Sequence, residues 1–139
     1  MENVHKNYRF QLKDKTRIKL KKQIDLGNFE IKQNKGKCAN NKLFIYINKS
    51  YIYLYNGDFY NYYRTYIKFK KYCMKSIEQY ENNLENNTVY CVDFKNGDMY
   101  SKENGYIKYC DLLKENLDLY EKGLQGLYNK YKKNRNFII

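Results

Sequence analysis

The chain has no proline, no tryptophan, one alanine (Ala39) and one histidine (His5). A lone histidine outside any motif leaves no basis for imidazole catalysis or a zinc site. The four cysteines, Cys38, Cys73, Cys91 and Cys110, show no C-x-x-C or similar ligand spacing. Neither a Gly-rich phosphate loop nor a G-x-S-x-G elbow occurs, so the chain is read as a non-enzyme without metal or cofactor. No run approaches the ~18 apolar residues of a membrane span, and the first residues contain no apolar signal segment. A soluble cytoplasmic protein is expected, without membrane association. Cys73, Cys91 and Cys110 fall at apolar-patterned positions and read as buried thiols, with no disulfides.

What is present is lysine, asparagine, isoleucine and tyrosine. The 139 residues include 23 Lys, 4 Arg, 19 Asn and 18 Tyr, with a formal net charge of +12. These residue types have AT-rich codons, and the missing Pro and Ala have GC-rich ones, so genome composition alone would write much of this. Arginine, the usual bidentate reader of phosphates and bases, is scarce. The layout of charge carries more than its sum. Residues 1–50 hold 13 basic and 4 acidic groups, residues 51–75 hold 5 and 1, residues 76–121 hold 4 and 10, and residues 122–139 hold 5 and none. Codon bias would spread lysine evenly, so the segregation points to selection for an electrostatically two-sided surface.

The strongest pattern is an internal repeat of period 40. Asn56-Gly57-Asp58 recurs as Asn96-Gly97-Asp98, and Tyr66-Ile67-Lys68 as Tyr106-Ile107-Lys108. An ungapped alignment of 56–84 with 96–124 gives 10 identities in 29 positions, well above chance for this composition. Each unit reads as strand, turn, strand, helix. Residues 52–55 run into Asn56-Gly57, a short hairpin signal, and 59–62 return; 89–94 and 99–100 form the second copy. Asp58 and Asp98 read as turn residues. The following helices carry apolar residues at helical spacing, from Ile67 to Leu84 after an N-cap at Thr65, and from Ile107 to Tyr131 after Asn104. The segment Phe94–Tyr100 resembles the hairpin of a MORN repeat. The unit here is about twice as long and includes a helix, so nothing is carried over from that family.

Upstream, 24–32 and 43–47 read as further strands, the latter paired with 51–55 across Asn48-Lys49-Ser50. Residues 33–41 read as a polar loop, 1–16 as partly disordered and 128–139 as a basic tail. The fold expected is a single α+β domain. It has an antiparallel sheet with two helices on one face, built on tandem units spanning 50–87 and 88–127.

On a strand over 43–55, Leu43, Ile45, Ile47, Ile52 and Leu54 share one face, and Phe44, Tyr46, Tyr51, Tyr53 and Tyr55 the other. An open tyrosine face would stack nucleobases while neighbouring cations hold phosphates. Arg64, Lys68, Lys70 and Lys71 supply one cluster of cations, and Lys19, Lys21 and Lys22 a second. Packing against another segment would explain the same tyrosines without a ligand. The repeat keeps Lys68 and Lys108 at the expected first turn of both helices, where they could help bind an anion or simply pack. Asp93, Asp98, Glu103 and Asp111 read as a solvated acidic face.

Three functional readings follow. The first is a basic binding protein for RNA, DNA or a ribonucleoprotein. The second is a phage or mobile-element inhibitor of a host defence complex, which binds protein through its tyrosines or mimics nucleic acid with its acidic segment. In the third, a nucleotide ligand sits between the two repeat units.

Overall fold

Residues 43–55 are almost continuously apolar, a pattern that satisfies period 2 and period 3.6 alike. The computed structural model, which describes residues 4–33, 40–85 and 107–139, resolves that ambiguity toward helix. Four helices follow one another: α1 (Asp14–Gln33), α2 (Asn40–Tyr55), α3 (Phe59–Glu85) and α4 (Ile107–Lys133). Among the described residues there is no strand, only an isolated parallel bridge between Gln11 and Ile138. The α+β expectation is therefore overturned in favour of a helical bundle. Residues 24–32, 43–47, 52–55 and 59–62, read as strands, are all helical. The second hairpin, at 89–100, and the MORN-like segment lie outside the described residues.

The physical reason is that α2 is covered on two sides. Leu43, Tyr46, Ile47, Ser50, Tyr53 and Leu54 recur at three- and four-residue steps and meet the core shared with α3 and α4. The opposite flank meets α1: Arg17 lies over the Tyr55 ring, and the Asn48 amide donates to Asn28 Oδ1 at 2.8 Å. A helix apolar on most sides is a buried helix. Asn48-Lys49-Ser50, read as a turn, is mid-helix. Asn48 faces α1, and the Ser50 hydroxyl donates back to the Ile47 carbonyl at 2.6 Å.

Asn56-Gly57-Asp58 does form a turn, but between helices. Gly57 adopts φ +66°. Its N–H donates to the Leu54 carbonyl at 3.0 Å, and Asp58 N–H donates to the Tyr53 carbonyl at 2.8 Å. This crossed pair is the Schellman ending of a helix. Asp58 then opens α3, its Oδ1 accepting from Asn61 N–H at 3.1 Å, which satisfies one of the unpaired donors of a first turn. Left-handed glycine serves a hairpin and a helix C-terminus equally, and that is why the motif was misread.

The α3–α4 pairing is antiparallel and largely aromatic. Tyr120 stacks on Tyr62 with ring centroids 4.6 Å apart, and its hydroxyl donates to the Tyr62 carbonyl at 2.6 Å. Phe59 meets Tyr131 at 6.0 Å. Phe59, Phe69, Cys73, Leu113 and Leu124 are fully buried. The helices expected over 67–84 and 107–131 lie inside α3 and α4. Within α4, a Cβ on Gly126 would have nothing within 4 Å. Gly126→Ala is thus expected to stabilise by about 0.5–1 kcal/mol, through helix propensity alone, as thermal denaturation followed by circular dichroism would show.

The terminal stretches are structural. Phe10 and Phe137 are buried and stack at 5.1 Å. In the same small patch Ile139 N–H donates to the Gln11 carbonyl, Gln11 N–H to the Phe137 carbonyl and Lys13 N–H to the Ile139 carbonyl, and the Tyr8 hydroxyl donates to the Arg135 carbonyl. Residues 4–13, placed in the partly disordered stretch, and 134–139, placed in the tail, instead clasp each other. Phe10 N–H donates to the Gly57 carbonyl at 3.0 Å, which seats this clasp on the α2–α3 turn.

Candidate nucleic-acid interface

The buried stripe of α3 runs Phe59, Tyr62, Tyr66, Phe69, Cys73 and Ser76. At 100° per residue, the positions left facing outward are Tyr60, Arg64, Ile67, Lys71 and Met74, with Tyr63 and Lys68 beside them. From residue 59 to 77 the helix carries five cations and no carboxylate. Tyr60, Tyr63, Arg64, Ile67, Lys68 and Lys71, with Val4 from the N-terminal segment, line a groove of about 370 Å³. The Arg64 guanidinium donates to the Tyr60 hydroxyl at 3.0 Å and lies over the ring, 5.6 Å from its centroid. Lys68 and Lys71 are exposed and make no ion pair among the described residues. The groove therefore offers apolar and aromatic walls beside three cations.

Some of the residues singled out from the sequence meet here and others do not. Arg64, Lys68 and Lys71 line the groove, while Lys70 points its ammonium over the Tyr66 ring at 6.0 Å. Lys19, Lys21 and Lys22 are exposed on α1, a separate helix, and Lys21 pairs with Asp25 at 3.2 Å. Lys68 lies ten residues into α3, so the expected anion site at a helix N-terminus is corrected for this lysine. Lys108 falls at the start of the described part of α4.

The tyrosine platform does not form, because a helix spreads alternate residues around its axis. Tyr46 packs on Phe69 and Tyr72, with centroids 5.5 Å away in each case. Tyr53 joins the core, Tyr55 sits beneath Arg17, and Tyr51 is half-buried at grooves on either side of α2. The sequence reading passed over Tyr60, Tyr63, Ile67 and Val4. A helical projection starting at 59 would have found the first three. Nothing local marks Val4.

The nucleotide pocket expected between the repeat units has little room between their helices. Tyr62, Tyr66 and Phe69 close on Tyr120 at 4.6, 5.5 and 5.9 Å. The cavity beside them, lined by Ser50, Tyr51, Tyr62 and Asn116 among others, is about 110 Å³, below the ~300 Å³ at which ligand pockets begin.

Titration behaviour assigns these core groups to structure. Burial, followed by a hydrogen bond to the Glu121 carboxylate and its charge, pushes Tyr66 up to about 12. Burial raises Tyr62 and Tyr120 as well. It also pushes the Cys73 thiol up to about 12, which suppresses thiolate chemistry at neutral pH. Cys73 and Cys110 are buried and free of disulfides; Cys38 and Cys91 lie outside the described residues. Among the described residues no cluster of His, Cys, Asp and Glu could hold a metal, and no helix is long and apolar enough to cross a membrane. Of the four carboxylates read as an acidic face, Asp111 is exposed on α4 and the other three lie outside the described residues. Glu115, Asp118 and Glu121 continue the acidic residues along α4, but that helix also carries lysines, and Lys122 pairs with Asp118 at 2.9 Å, so the two signs of charge are not divided between helices. No protein-family model matches the chain, and no curated protein and no solved structure shows detectable similarity to it, so the groove must be read from its own chemistry.

Proposed function

We propose that the chain is a small non-enzymatic binding protein that engages RNA or DNA through the outward face of α3. The observation that carries this reading is the groove itself, in which Arg64, Lys68 and Lys71 stand beside Tyr60 and Tyr63. Cations neutralise phosphates and release counterions, and aromatic rings accept bases without regard to sequence. Three neutralised phosphates imply a log–log salt slope of about −2 on single strands and about −3 on duplex. Replacing Arg64, Lys68 and Lys71 together by glutamate is expected to weaken binding at least about a thousandfold at low salt, since charge-assisted contacts each contribute ~1.5–3 kcal/mol. Fluorescence anisotropy with labelled RNA and DNA tests this. Absence of binding to either at low salt would overturn the reading.

A second reading, that of an inhibitor docking on a host protein complex, draws on α1. Its outward face exposes Ile18, Leu26 and Phe29 at 57%, 58% and 58%, beside Lys15, Lys19 and Lys22. Exposed apolar side chains grouped on one helix face favour a protein partner. Pull-down with and without nuclease separates the readings, because a nuclease-resistant protein partner favours the inhibitor.

A further inference from the structure

Resting on the nucleic-acid reading, we infer that the α3 groove selects single strands, taking an unstacked base against its aromatic and apolar wall. Three observations carry this. First, a duplex reader of this kind would lay α3 in the major groove. That groove is about 12 Å wide and admits a bare helix of ~10–12 Å diameter. Here α3 is not bare, because Val4 is buried alongside it and forms part of the groove wall. The added segment broadens the surface that a duplex groove would have to admit.

Second, the outward face is poor in groups that read base edges. Of Tyr60, Arg64, Ile67, Lys71 and Met74, only Arg64 and Lys71 are cationic donors to a base edge, and one Arg64 nitrogen is already engaged with Tyr60, over whose ring the guanidinium lies. Ile67 and Met74 are 36% and 58% exposed and present nothing to a hydrogen-bonding edge. They suit the flat face of a base, which becomes accessible only once it leaves the stack.

Third, the depression is concave and of suitable size. About 370 Å³ falls within the ~300–1,000 Å³ range of pockets that take small planar ligands. Lys68 follows Arg64 by ~6 Å along the helix axis and Lys71 follows by a further ~4.5 Å. That row of cations can track successive phosphates of one extended strand past the ring wall.

The experiment uses the full chain with labelled oligo(dT), oligo(U) and a DNA hairpin duplex, titrated at low salt. Single strands are expected to bind at least tenfold tighter than the hairpin. Tyr63→Leu and, as a charge-neutral variant farther from the core, Ile67→Gln are each expected to weaken single-strand binding about tenfold and hairpin binding by much less, with helical circular dichroism intact. Lys68→Gln with Lys71→Gln weakens both. Equal binding of hairpin and single strands, with Tyr63→Leu and Ile67→Gln neutral, would overturn strand selection and leave the nucleic-acid reading standing. If no probe binds, that reading itself is lost and this inference with it.

Discussion

Gly57→Ala is expected to destabilise the protein by about 3 kcal/mol or more, the largest effect of any exchange this small. Two costs add. Gly57 sits at φ +66°, where a Cβ costs roughly 1–2 kcal/mol. A Cβ there would also stand 2.2 Å from the Phe10 carbonyl oxygen and 3.3 Å from two further Phe10 backbone atoms. The oxygen cannot yield without lifting the N-terminal segment, and Phe10 is only 4% exposed. Unseating that side chain forfeits a further ~1.5–3 kcal/mol of apolar burial. Gly57→Asn separates the two costs, because asparagine tolerates the left-handed region but still meets the carbonyl. Urea unfolding should therefore rank wild type above Asn, and Asn above or level with Ala. A neutral alanine variant would mean that Phe10 does not dock on the turn.

Stability is expected to start falling near about pH 9, where only the unfolded chain loses the thiol proton that burial holds on Cys73, and to fall steeply above about pH 10. Tyr62, Tyr66 and Tyr120 are all raised by burial, Tyr66 to about 12 with Glu121 contributing. Their unfolded counterparts ionise near 10. Above that pH the unfolded chain binds fewer protons than the folded one, so the free energy of unfolding falls as pH rises. The loss is at most about 1.4 kcal/mol per pH unit from each such group. It continues through the folded-state value of each phenol. Urea midpoints measured from neutral pH to about 12 check the slope, and phenolate absorbance should rise in the same transition. Tyr120→Phe should flatten the slope while costing about 1 kcal/mol at neutral pH, the net value of the hydrogen bond its hydroxyl makes to Tyr62. A slope unchanged by Tyr120→Phe would remove that phenol from the account.

The sequence made α4 legible and much of α3, because Ile107, Cys110, Leu113, Leu117, Tyr120 and Leu124 are apolar residues at helical spacing separated by polar ones. α2 defeated the same test. Buried between α1 on one flank and the α3–α4 pair on the other, it has few polar positions with which to mark a period. Asn56-Gly57-Asp58 was correctly located and wrongly typed, because the left-handed glycine is common to hairpins and helix ends. Only the long-range packing around it decides between them. At the site, Arg64, Lys68 and Lys71 were visible as a run of cations. Tyr60 and Tyr63 were hidden by assigning 59–62 to a strand, which placed the helix N-cap at Thr65, seven residues after Asp58. Val4 could not have been found locally, since it reaches the groove only through the clasp of 4–13 with 134–139.

That clasp also fixes an order of events. The α1–α2 and α2–α3 pairings join neighbours in the chain, whereas Tyr8 and Arg135 meet across 127 residues. Contacts closing so long a loop offset their entropy only after the local pairs have formed. The latch is therefore expected to close late in folding. Val4 belongs to the same strap, so whenever the latch opens, the groove on α3 loses one of its apolar walls.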